Sequence, residues 1–94
     1  MMSSMVTKIQ VVTKEGCLPC KYVKRVLGDL GLEIPDMSIE EIDFGSEEGI
    51  KLAVQNQILY PPAVFVEGRL LMKGKIRENE LKEAVRSRIR STVR

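Results

Sequence analysis

The hydrophobic period changes twice between Lys8 and Phe44, and this change constrains the fold more than any other feature of the chain. The run from Lys8 to Thr13 carries Ile9, Val11 and Val12, a β-branched composition suited to a buried strand. It ends at Lys14, Glu15 and Gly16. From Cys17 onward Val23, Val26, Leu27 and Leu30 recur at helical spacing, with Pro19 in the first turn, where a missing N–H is tolerated, and Gly31 as the expected C-terminal cap. Ser38 to Phe44 is extended again, with Ile39 and Ile42 apolar and Glu40, Glu41 and Asp43 between them. A helix joining neighbouring strands implies a parallel pair with a right-handed crossover.

The remaining chain extends the pattern. Ser46 before Glu47 and Glu48 is a helix start, with a capping oxygen and two acids over the positive end of the dipole. Ile50, Ala53 and Val54 are the expected inward face of that helix. Pro61 and Pro62 end it, and Ala63 to Val66 is a third strand. Glu67 and Gly68 make a tight turn into a fourth strand, Arg69 to Met72, with Met72 expected in the core. Leu81, Ala84, Val85 and Ile89 form one side of a final amphipathic helix. The order is β-α-β-α-β-β-α, an α/β chain with a four-stranded mixed sheet flanked by helices. One domain over 1–94 is expected, with 1–6 and 91–94 frayed.

At 94 residues, 44% hydrophobic and 30% charged, the chain can bury one core without a covalent staple. Two cysteines are too few for a secreted disulfide scaffold. No stretch reaches the roughly 18 apolar residues of a membrane span, and Met1 to Met5 has neither the basic start nor the apolar run of a signal peptide. A cytoplasmic monomer is the resulting expectation. A net charge of +2 points to no polyanionic partner. Arg86, Arg88, Arg90 and Arg94 are read as complements to the negative end of the last helix; no nucleic-acid partner is expected, because no aromatic residue accompanies them. The absence of histidine removes Ser-His-Asp and Cys-His nucleophile pairs and every histidine metal site.

Cys17, Leu18, Pro19 and Cys20 lie where a strand hands over to a helix. Free N–H groups and the positive dipole end stabilise an anion there, so Cys17 is expected to have a depressed pKa. The spacing brings the second sulfur within bonding reach across one turn. Cys17, at the exposed mouth, is then the nucleophile, and Cys20, one turn in, the resolving thiol. Lys14, Lys21 and Lys24 can add positive potential. The same spacing is half of a zinc site, so a metal or cluster shared between two chains, or thiols with no chemical role, remain alternatives.

These residues resemble the thioredoxin superfamily, specifically its small glutaredoxin-like and thioredoxin-like members, over about Lys8 to Arg86. The run from Val11 to Cys20, including Thr13 and Lys14, is similar to the approach to a glutaredoxin active site, while Pro19 is similar to the thioredoxin tetrapeptide. Tyr60 to Gly68 resembles the cis-proline loop and following hairpin, with Pro62 in the cis position. The resemblance implies a thioredoxin-like fold and a thiol–disulfide oxidoreductase acting on protein disulfides without a bound cofactor, recharged by a flavoprotein of the thioredoxin reductase kind. It places Pro61, Pro62, Tyr60 and Lys14 around the substrate. Three departures matter. Pro61 has no N–H to pair with a substrate backbone. Lys73 to Arg77 stands in place of the glutathione ligands, so glutathione is not expected as the main partner. Val11 replaces the buried aspartate of thioredoxins, so their full proton relay is not expected. A glutathione-dependent glutaredoxin is the alternative within the enzyme class.

Overall fold

Ile9, Val11 and Val12 are fully buried, so the strand that carries them must run through the middle of a sheet covered on both faces. The computed structural model of the protein describes residues 6–92. Its elements are β1 (Thr7–Thr13), α1 (Leu18–Glu33), β2 (Met37–Asp43), α2 (Glu47–Asn56), β3 (Ala63–Val66), β4 (Arg69–Lys73) and α3 (Glu78–Thr92). The sheet order is β2-β1-β3-β4, with β1 and β2 parallel and the other two pairs antiparallel. The expected mixed four-stranded sheet is therefore present. The expected frayed ends fall largely on residues 1–5 and 93–94, outside the described residues, as does Arg94 of the basic tail; α3 itself continues through Thr92.

Two hydrophobic layers hold the sheet. On one face Ile9, Val11, Val64 and Val66 pack with Val23, Val26, Leu27 and Leu30 of α1 and with Leu81 and Val85 of α3. On the other face Val12, Ala63 and Phe65 pack with Ile42 and Ile58, and Leu52 and Ala53 of α2 lie against them. Each fully buried Val, Leu or Ile side chain contributes on the order of 1.5–3 kcal/mol. Alternation along β1 thus divides Ile9 and Val11 from Val12.

Three expectations are corrected. Gly31 is not the cap of α1: the helix runs on to Glu33, Ile34 donates its N–H to the Leu30 carbonyl at 2.7 Å, and Pro35 confines Ile34 to an extended conformation that stops it. The inward side of α2 is Gly49, Leu52 and Ala53, whereas Ile50 and Val54 are 53% and 74% exposed. The cause is close approach: a Cβ at Gly49 would collide with the Asp43 carbonyl, so only glycine lets the start of α2 lie on the end of β2. Met72 is half-buried on the edge strand β4, packed against the first layer rather than within it.

Glu33 sits at the negative end of α1, whose last turn has no basic residue. Arg86 of α3 answers this with a two-pronged contact, Nε and Nη2 each donating to Glu33 at 2.8 Å. The Arg86 hydrogen bond holds the Glu33 carboxyl below its usual 4.5. A carboxylate lowered in the folded state stabilises the fold above its unfolded pKa and loses that contribution as pH falls through the folded value. Replacing Arg86 by Met should therefore lower the thermal midpoint at neutral pH, and the deficit should shrink as the pH drops below 4.5; thermal melts across that range measure both.

Candidate active site

Where β1 ends, Gly16 adopts a positive φ of 82° and the Cys17 N–H returns to the Lys14 carbonyl at 3.1 Å. That turn sets Cys17 at the N-cap of α1. Its backbone is extended, its carbonyl accepts from the Lys21 N–H at 3.2 Å, and its Sγ accepts from the Cys20 N–H at 3.1 Å. A sulfur thus occupies the place of a capping oxygen. Pro19 in the first turn has no N–H, which leaves the Cys20 amide as the donor aimed at sulfur. The two sulfurs are joined in a disulfide, with the Cα atoms 5.2 Å apart. Cys17 is half-buried, Cys20 is 1% exposed, and Leu18 is 74% exposed on the rim between them.

The Pro61–Pro62 peptide bond is cis, as the family resemblance implies. Val12 pairs with Ala63, so Pro62 lies level with the end of β1 on the side of the sheet edge from which Cys17 departs. Pro62 is buried, and its carbonyl accepts from the Gly74 N–H at 3.0 Å. The loop before it is pinned by Lys73 of β4, whose Nζ donates to the carbonyls of Asn56 and Gln57 at 3.2 and 2.9 Å. Those carbonyls end α2, where a cation complements the helix dipole.

Among the described residues two clefts flank this arrangement, and they share no residue. One, of about 560 Å³, reaches Cys20 and is walled by Thr13, Lys14, Lys24, Glu41 and Asp43 among others. The other, of about 260 Å³, lies among Gln57, Leu59, Tyr60, Lys73 and Lys75. The structure therefore places Lys14 in the cleft that Cys20 helps line, and Tyr60, 63% exposed, over a separate cleft before the cis-proline. Tyr22 is partly exposed, lies under Arg25 and accepts the Glu78 N–H at the start of α3, a packing role.

Sequence reasoning missed Glu41. Its carboxylate accepts from the Thr13 hydroxyl at 2.6 Å and from Lys24 Nζ at 3.1 Å, and these two hydrogen bonds, Thr13 first, hold its pKa below 4.5. In the sequence Glu41 reads as one acid of a solvent-facing alternation. Only the parallel register, which sets Glu41 beside Val11 and Ile39 beside Ile9, shows that it shares a face with the end of β1.

Compared by sequence, the chain matches no protein-family model and none of the curated proteins. Compared by structure, it is similar to thioredoxin O2 of Arabidopsis thaliana in the oxidized state, with a TM-score of 0.69 and 16% identity over 88% of this chain and 75% of that one. The thioredoxin of Trypanosoma brucei brucei gives 0.64 at 22% identity over 95% and 80%, and that of Fasciola hepatica 0.67 at 17% over 89% and 82%. The chain has the thioredoxin fold, with a cysteine pair bonded at the first turn of its first helix.

The difference in exposure has a measurable result. After reduction, substoichiometric iodoacetamide should alkylate Cys17 well before Cys20, as read by peptide mass mapping; equal labelling would mean that the first turn opens freely.

Proposed function

We propose that the protein is a thiol–disulfide oxidoreductase that reduces disulfides in protein substrates. The observation that carries this reading is the Cys17 sulfur, seated as the N-cap of α1 and bonded to a nearly inaccessible Cys20. In the reduced protein the same N-terminal amides hold Cys17 as thiolate. The thiolate attacks a substrate disulfide, forming a Cys17–substrate bond and releasing one substrate thiolate. Cys20 then attacks Cys17, the internal disulfide forms and the second substrate thiolate leaves. Two electrons pass from the dithiol to the substrate.

The exposed rim of Leu18, together with Leu59 and Tyr60 beyond the prolines, suits an apolar segment flanking the substrate disulfide. A flavoprotein reductase is the proposed electron donor, and the cytoplasm, kept reducing, the proposed setting. Glutathione is not the proposed main partner, because the segment from Lys73 to Arg77 is committed elsewhere: Lys73 caps α2, Ile76 is core and the Arg77 carbonyl starts α3.

With dithiothreitol as the electron source, the protein should reduce insulin, and the Cys17→Ser variant should not rise above background; equal rates would overturn the reading. Pro61 supplies a second measurement. An extended substrate can donate to its carbonyl but finds no N–H, at a cost on the order of 1 kcal/mol. Replacing Pro61 by Val restores that donor and should raise kcat/KM for a peptide disulfide about fivefold, a rise that a passive loop would not give.

A further inference from the structure

Resolution requires Cys20 to lose a proton, yet Cys20 is 1% exposed. Among the described residues, Cys20 helps line the cleft of about 560 Å³, and that cleft offers its proton a way out. The charged groups around that cleft are Lys14 and Glu15 from the turn, Lys21 and Lys24 from α1, and Glu41 and Asp43 from β2. The lysines carry hydrogen-bond donors and no acceptor. Glu15 lies exposed on the turn, and the Asp43 carboxylate is turned to the Gly45 N–H at 3.0 Å, where it shapes the start of α2. Glu41 differs from both. The Thr13 hydroxyl, on a residue 4% exposed, and Lys24, one helical turn beyond Cys20, fix its carboxylate between the end of β1 and α1.

We propose that Glu41 is the proton acceptor for Cys20 in the resolving step, with Thr13 and Lys24 as the residues that position it. This rests on the oxidoreductase reading above. As the Cys20 sulfur attacks Cys17, its proton passes across the cleft to the Glu41 carboxylate. The Cys17–Cys20 bond forms, the bond from Cys17 to the substrate breaks, and the substrate sulfur departs with the electron pair and is protonated from solvent. Glu41 then returns its proton to solvent. No oxidant beyond the substrate disulfide is consumed. Because its two hydrogen bonds keep Glu41 ionised below 4.5, the acceptor is available through the whole neutral range. As a base far weaker than a thiolate it belongs at the low end of general-base effects, about 100-fold.

The test is a single turnover of the reduced protein with an aromatic disulfide whose released thiol is coloured. The first phase is attack by Cys17 and the second is resolution by Cys20; the Cys20→Ser variant, which gives only the first, assigns them. In Glu41→Gln, which can still accept from Thr13, the first phase should be unchanged and the second slowed about 100-fold at neutral pH. The pH profile should change as well. Resolution in the variant should rise about tenfold per pH unit toward the free thiol value of about 8.5, whereas the unsubstituted protein stays flat. Glu41→Asp should recover part of the rate, and Thr13→Val should lose part of it. If Glu41 acted only as a fixed negative charge, its removal would make Cys20 more acidic and resolution faster. An equal or faster second phase in Glu41→Gln therefore overturns the proposal, as does a slowed phase with an unaltered pH profile. Absence of the first phase in the unsubstituted protein would instead overturn the oxidoreductase reading.

Discussion

The structure depends on β1 being paired on both edges and covered on both faces. Its pairing with β2 from Thr7 to Thr13 and with β3 from Ile9 to Val12 leaves no backbone edge for water, and its side chains feed both hydrophobic layers. A strand held in this way cannot shift its register without turning one layer outward. Its C-terminal end is therefore a fixed point. The Lys14 turn and Cys17 follow directly from that end, and cis-Pro62 approaches it along β3. Cys17 is placed by a short hydrogen-bonded turn that leaves the most constrained strand of the sheet.

Polar chemistry gathers at the same end of the sheet because edge strands can carry it. β2 is open along one side, and its acids find partners across the strand pair: Glu40 meets Lys8 and Gln10, and Glu41 meets Thr13 and Lys24. Exposed pairs such as Lys8–Glu40 contribute little to stability, since water screens them. Their effect is on position. The Glu41 carboxylate is held in the wall of the cleft that Cys20 also lines.

How much of this could be read from the sequence follows physical lines. The order of elements was legible because strand and helix periods differ sharply, and Ser46 and the paired prolines punctuate the chain. Cys17 and Cys20 were legible as a pair because their spacing and their place before a helical period are local facts. Glu41 was not legible: its placement comes from register against β1 and from a lysine of α1, neither of which lies near it in sequence. The inward face of α2 was misread for a related reason. Apolar periodicity favoured Ile50 and Val54, but close backbone approach at Gly49 turned the helix, and a glycine carries no hydrophobic signal. Gly31 misled in the opposite way, since glycine permits a helix end without requiring one, and Pro35 set the end instead.

The sulfur cap of α1 has a further consequence. Ordinary helix caps are chemically inert, and the first turn keeps the same acceptor throughout the life of the protein. In the proposed cycle the acceptor is itself a reactant. As a thiolate, the Cys17 sulfur takes a charge-assisted hydrogen bond from the Cys20 amide; in a mixed or internal disulfide it is a neutral, weaker acceptor. In that cycle the grip of α1 on its own beginning alternates with each electron pair delivered, and a single backbone amide registers the oxidation state of the pair.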